Sequence, residues 1–309
     1  MSRYTDVEGP KASICIPAYQ AARHLRATID SVLAQNYCDL EILFIDNNST
    51  DGTREILETI KDDRVRIIRN ATTLSIYDNW NRAVRESRGV FVKLVCADDL
   101  LEPDCIAAQV AVLEENPDVK LVSGRTDFID DEGELLRPAR GISGIVGRQP
   151  GERVVRQTVR SGSNPVGPTA AAMYRRKDFN RCGGYIRYSL FPNVSDVDLW
   201  VRLIRDGDFF GMARTVASFR IGSGSVTATT STRSLLDQYI RFSRHLVEDP
   251  YWNIPRTDRI VGRVNGYDKQ LRRTVLYGMS NYRAWKRRRW AIEVSSAGDR
   301  RDKFIARTG

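Results

Sequence analysis

The chain has 309 residues, of which 41% are hydrophobic, 28% charged and 9% aromatic, enough for a sizeable core in one large domain or two ordinary ones. Residues 251–309 hold fifteen Lys and Arg against five Asp and Glu, a net of +10, while the first 250 residues sum to −1. These figures exclude a disordered or fibrous chain and a uniformly basic nucleic-acid binder, and favour a near-neutral body with a basic appendage.

No apolar run approaches the roughly 18 residues of a membrane span, and the opening MSRYTDVEGPK lacks the apolar core of a secretory leader. Cys15, Cys38, Cys96, Cys105 and Cys182 show no CxxC spacing, which favours reduced thiols over a disulfide framework or a zinc site. A cytoplasmic location is the expectation.

Strand and helix signals alternate from residue 12. Ser13–Ile16 is a short apolar run stopped by Pro17, which cannot donate to a sheet ladder. Leu25, Ile29, Val32 and Leu33 recur at helical spacing. Glu41–Ile45 is strand-like and ends at Asp46; Asn47–Gly52 is turn and cap chemistry before a helix face of Ile56, Leu57 and Ile60. Val65–Ile68 predicts a third strand, and Ile76, Trp80, Ala83 and Val84 predict a helix that stops at Gly89. Val90–Cys96, the most strongly apolar run, predicts a central strand covered on both faces. Pro103 suits a first helical turn, with Ile106, Val110 and Leu113 behind it, and Val119–Val122 predicts a fifth strand.

After residue 124 the alternation fades. Residues 131–168, rich in Gly, Pro and Arg, read as a long loop region. Order returns at Ala170–Tyr174, at Leu199, Trp200, Leu203 and Ile204 on a helix, and at Phe209–Met212. Residues 222–233 are small and polar enough for a mobile loop, and helical signals run from Leu235 into the basic end. No internal repeat is present.

Alternation at this spacing implies an α/β class, with a mostly parallel sheet and helices on both faces. Ligands of such sheets bind outside the carboxyl ends of the strands. The polar residues just past those ends are Tyr19 and Gln20, Asp46 and Asn47, and Asp98 and Asp99, so three segments deliver acidic and amide groups to one edge. Asp98 and Asp99 repel each other until a cation arrives, and their hard oxygens suit Mg²⁺ or Mn²⁺ together with a diphosphate. Capping of the helix near Pro103 is the plainer reading of the same pair. Asp46 can accept from a base imide or a ribose hydroxyl, or serve the turn that follows it. Asp196 and Asp198, at i and i+2, point to different sides of a helix, so one can face a cleft while the other caps or meets water.

The segments SICIPAYQAARHLRATIDSVLAQNYCDLEILFIDNNSTDGT, GVFVKLVCADDLLEPDCI, RCGGY with SDVDLWVRLIRDG, and FRIGSGSVT follow one another along residues 12–227. In order and spacing this stretch resembles family 2 glycosyltransferases with the GT-A fold. The resemblance implies a catalytic domain over residues 1–222, with a nucleotide-binding half near 12–124 and an acceptor-binding half near 125–222, and a basic helical extension over 223–309. It implies an inverting, metal-dependent enzyme that takes a sugar from a nucleotide-diphosphate donor, UDP before dTDP and GDP. The acceptor would be a hydroxyl of a glycan, a lipid-linked glycan or a protein.

By the same resemblance Pro17, Ala18 and Tyr19 match the loop that holds the nucleotide, and Asp46 the acid that contacts the base. Asp98 and Asp99 match the metal- and diphosphate-binding carboxylates, Asp99 as the direct ligand, and Asp196 matches the catalytic base. Three positions depart from the family pattern: Cys96 replaces the first Asp of a D-x-D-D stretch, Ser195 the Glu of an acidic pair, and Gly222 a His. Without that His, Arg220 and Arg233 are the candidate phosphate contacts. The chemistry fits the name, since inverting transfer needs one carboxylate to deprotonate the acceptor and a cation to balance the leaving diphosphate.

A sugar-nucleotide nucleotidyltransferase would open on a Gly-rich loop, and Pro17-Ala-Tyr-Gln-Ala-Ala has no glycine. A binding protein on a decayed transferase scaffold is expected to lose Asp46, Asp99 or Asp196, and all three are present. Lys93 reads as a sheet residue, and His24 and His245 as surface or packing residues. In the tail, Tyr282–Trp290 sets two tryptophans beside four consecutive cations. That composition suits peripheral contact with the inner face of a membrane, an acidic partner, a homodimer contact or a solvated helix face. Nucleic acid is not expected as a partner.

Overall fold

A computed structural model of the chain describes residues 9–185, 191, 194–222, 230–276 and 278–279. The strands are β1 (Ala12–Ala18), β2 (Leu40–Asp46), β3 (Val65–Arg69), β4 (Phe91–Leu94), β5 (Leu100–Leu101), β6 (Val119–Ile129), β7 (Leu135–Arg140), β8 (Gly147–Pro150), β9 (Ala172–Arg175) and β10 (Asp208–Arg220). Among the described residues they form one ten-stranded sheet in the order β3-β2-β1-β4-β9-β6-β10-β5, with β7 beside β6 and β8 beside β10.

Helices α1 (Leu25–Leu33), α2 (Thr53–Glu58), α3 (Ile76–Glu86) and α4 (Cys105–Glu115) alternate with the first strands. They make β3-β2-β1-β4 a parallel unit. Beyond β4 the sheet is mixed, because β9 runs antiparallel to both β4 and β6 while β10 returns parallel to β6. The remaining helices are α5 (Gly151–Ser161), α6 (Arg176–Cys182), α7 (Ser195–Leu203), α8 (Thr232–Glu248) and α9 (residues 256–276).

Strand β1 shows why the apolar runs are continuous. Ala12, Ile14, Ile16 and Ala18 face one buried layer with α1 and α4, while Cys15 faces the other with α3, α5, α7 and α8. A strand covered on both faces needs no polar alternation. Lys93 is a sheet residue, as expected: it is fully buried in β4, where Nζ donates to Gln109 Oε1 (2.8 Å) and to the Ala172 carbonyl (3.3 Å). His245 packs its ring 5.8 Å from that of Phe191.

The region 131–168 is not the long loop its composition suggests. It holds β7, β8 and α5. Val154, Val155, Thr158 and Val159 of α5 are buried on one helical face, with Arg153, Arg156 and Arg160 on the other, a period that the Gly- and Pro-rich flanks outweigh in a reading by composition. Of the expected mobile stretch 222–233, residues 223–229 lie outside the described residues, as does the Tyr282–Trp290 run, whereas Thr232 and Arg233 begin α8 behind an N-cap at Ser231.

Candidate active site

β1 and β2 end in register, Ala18 opposite Asp46, and the Asn47 N–H donates to the Ala18 carbonyl (2.8 Å). Pro17 and Ala18 are buried at this end, while Tyr19 is 54% exposed at the rim. Asp46 is buried. Its Oδ1 accepts from the Ser49 N–H (2.9 Å), whereas Oδ2 has no hydrogen-bond partner and lies 3.5 Å from Arg69 Nε. Asn47 Oδ1 accepts from Asn70 Nδ2 (2.6 Å) and from the Leu74 N–H (2.9 Å), which holds the floor of the crevice rigid.

Asp98 and Asp99 follow β4 at the same edge. Asp99 is fully buried; Oδ1 accepts from the Arg220 N–H (3.0 Å), and Oδ2 has no hydrogen-bond partner. Burial, then the charge of Asp98, pushes the Asp99 carboxyl well above the ordinary range, and burial raises Asp98 as well. Cys96 Sγ and the carboxylates of Asp98 and Asp99 lie within 4.8 Å of one another, a group that could hold a metal ion. Two hard carboxylates, one with a buried oxygen lacking a donor, fit a divalent cation. Burial and the same carboxylates drive the Cys96 thiol far up, so it stands protonated and neutral where the family pattern has an Asp.

Asp196 opens α7 opposite this group. Its Oδ2 accepts from Asn164 Nδ2 (2.8 Å) and its Oδ1 from the Val197 N–H (2.8 Å). Burial raises the carboxyl to about 6 against those two favourable bonds. Asn164 Nδ2 also donates to the Gly167 carbonyl (2.7 Å), and two residues on Thr169 Oγ1 lies 3.8 Å from Cys96 Sγ, so one short segment links the helix-borne acid to the strand-borne group. Asp198 turns away, as the i, i+2 spacing requires, and pairs with Arg202 (2.8 Å).

Arg220, expected as a phosphate contact, is only 4% exposed and already committed to the protein. Its Nε donates to the Asp98 carbonyl (2.9 Å), and Nη1 to the carbonyls of Asp130 (2.8 Å) and Asp131 (3.0 Å). Arg233 is exposed in the first turn of α8. A Cβ on Gly222 would lie 2.5 Å from Asp131 Oδ1, so a His there needs the Asp131 carboxylate to move. That carboxylate instead pairs with His24 Nε2 (3.4 Å) and Arg23 Nη1 (3.3 Å).

Asn164 and Asp131 belong to the site but are not singled out by the sequence. The only signal for Asn164 is its place in a turn-rich Ser-Asn-Pro stretch, and for Asp131 there is none, since both meet their partners only through the fold.

Residues 13–183, more than half of the chain, match the model of glycosyl transferase family 2. The chain belongs to that family. The match runs from β1 through α6 and stops short of Asp196. As a family 2 glycosyl transferase the protein is an enzyme, and several of its relatives carry matching names. It is 27% identical over 202 residues to EpsE of Bacillus subtilis (strain 168), named a glycosyltransferase, covering 64% of this chain and 68% of that one. It is 33% identical over 129 residues to the chondroitin synthase of Escherichia coli, covering 41% of this chain and 19% of the synthase.

Among solved structures, S. aureus TarS superposes on 77% of the chain and 40% of TarS, with a TM-score of 0.56 at 14% identity. Residues 1–349 of TarS in complex with UDP-GlcNAc superpose with a TM-score of 0.55 at 13% identity, over 77% of this chain and 67% of that one. At these identities the likeness shows the fold, which is GT-A as expected.

Proposed function

We propose that the protein is an inverting transferase that moves a sugar from a nucleotide-diphosphate donor, UDP first, to a hydroxyl of a growing glycan. One observation carries the reading: the Asn164–Thr169 segment meets Asp196 of α7 at one end and Cys96 of the Cys96–Asp98–Asp99 group at the other, which sets a raised carboxyl near a cation-ready pair. The donor class is supported by the TarS complexes with UDP-GlcNAc and UDP, and a glycan acceptor by the synthase relative.

In this reading Asp46 Oδ2, lacking a hydrogen-bond donor, accepts from the base imide, and the Pro17–Ala18–Tyr19 turn lines the nucleotide. Asp98 and Asp99 would hold Mn²⁺ or Mg²⁺, which supplies positive charge to the leaving diphosphate when bound. Asp196 accepts the proton of the acceptor hydroxyl, and the Asn164 amide orients its carboxylate. Arg220 shapes the diphosphate end through the carbonyls it holds, and Arg233 is left as the phosphate contact. Residues 1–222 form the catalytic unit, with α8 and α9 as an extension.

Calorimetric titration of UDP, dTDP and GDP, with Mn²⁺ or with EDTA, tests the donor site in wild type and in Asp99→Asn. The expected result is metal-dependent binding of one nucleotide, lost in the variant. Absence of any nucleotide binding under both conditions sinks the reading.

A further inference from the structure

Helix α9 is held against α5 by one face. Asp258, buried on that face, pairs with Arg156 (2.6 Å) and Arg160 (2.5 Å). Asn265 Nδ2 donates to the Arg160 carbonyl (2.8 Å), and Lys269 Nζ to Ser163 Oγ (2.6 Å). Between them Gly262 lies so close that a Cβ would come 1.9 Å from the Val159 carbonyl oxygen, and Gly266 is buried beside Gly162. Contacts at 258, 262, 266 and 269 recur at the helical period and fix the rotation of α9 about its axis.

The opposite face is therefore held outward, and it is apolar. Ile260, Val264, Tyr267, Leu271 and Val275 follow one another at helical spacing and are 54–67% exposed, with Met279 beyond them. Outer helix faces are normally polar, so a continuous stripe of this kind marks a surface that meets something. Exposed Arg256 and Arg263 flank it, as does Arg272, which pairs with the exposed Asp268 beside the stripe (2.9 Å), in a segment where residues 251–309 carry fifteen cations against five anions.

A second copy of the chain would satisfy the apolar side chains but would bring these arginines against their own kind. An anionic lipid surface satisfies both. No helix among the described residues is long and apolar enough to cross a membrane, so α9 would lie along the surface. We infer that α9 is an interfacial membrane-binding helix, its Ile260–Val275 stripe set among the acyl chains and its arginines among anionic headgroups. The inference does not depend on the donor chemistry.

The test is co-sedimentation of the full-length protein with phosphatidylcholine vesicles, with and without phosphatidylglycerol. Wild type is expected to bind the anionic vesicles roughly tenfold more tightly than the neutral ones, and added salt to weaken that binding. The double substitution Val264→Asp and Leu271→Asp is expected to reduce binding by at least about tenfold. Both positions are exposed, so thermal unfolding should be unchanged; Val264→Ser with Leu271→Ser serves as a second variant without added charge. No binding to anionic vesicles, equal binding by wild type and both variants, or equal binding to neutral vesicles overturns the inference. So does a wild-type dimer in solution that Leu271→Asp splits, which would give the face to a second copy.

Discussion

Burial raises the Asp196 carboxyl from 3.8 to about 6, and in the role of base proposed for it the group works only when ionised. Transfer, read as kcat/KM, is therefore expected to fall as the pH drops through about 6 and to level off above it. Asn164→Ala removes a hydrogen bond that favours the carboxylate, so the acid limb should move upward by roughly half to one pH unit, with nucleotide affinity unchanged. Asp196→Asn should cut transfer about 10²–10⁴-fold and leave nucleotide binding intact. The same change should stabilise the fold. The folded carboxyl holds its proton more tightly than the unfolded one, so its contribution to stability declines between pH 3.8 and about 6 and stays low above that. Above that window Asp196→Asn is expected to unfold later, by about 1–2 kcal/mol, in a thermal or urea transition. Acids at strand ends and helix starts are local patterns, which is why Asp46, Asp98, Asp99 and Asp196 could be picked out from the sequence. Asn164 could not, because its partner lies 32 residues away and only the fold joins them.

Gly89 shows how an element depends on one missing atom. Its N–H donates to Ser13 Oγ (2.8 Å) as the chain turns into β4, and a Cβ there would lie 2.5 Å from the Ser13 nitrogen. Gly89→Ala must push β4 from β1 and is expected to destabilise the protein by about 2–4 kcal/mol in urea unfolding. Because β4 carries the acidic pair, the loss should extend to nucleotide affinity. Legibility varied by element for a physical reason. Strands β1 to β4 are short, apolar and bounded by turn residues, and helices α1, α3 and α4 show clear apolar faces, so each was visible. The exposed β7 buries only Leu136 and leaves no period, whereas α5 does carry a helical face in Val154, Val155, Thr158 and Val159 that the Gly, Pro and Arg content of the surrounding stretch outweighs. Mixed pairing beyond β4 was also hidden, since strand direction there is set by contacts across the sheet.

Arg220 ties distant parts of the molecule together. At the end of β10 it holds the carbonyls of Asp98, Asp130 and Asp131, and its own N–H holds Asp99. Replacing it with Met strands buried carbonyls and should lower stability by about 2–4 kcal/mol in urea unfolding, weakening nucleotide binding without any lost contact to the ligand. The N–H that Asp99 accepts lies 121 residues further along the chain. At about 5–20 residues per second on a ribosome, the acidic pair waits roughly ten seconds for its partner to be made. A nascent chain halted short of residue 208 holds a sheet with no β10 beside β6 and two aspartates without their restraint. The acidic pair thus gains its restraint late in translation, delivered by the same strand that completes the sheet.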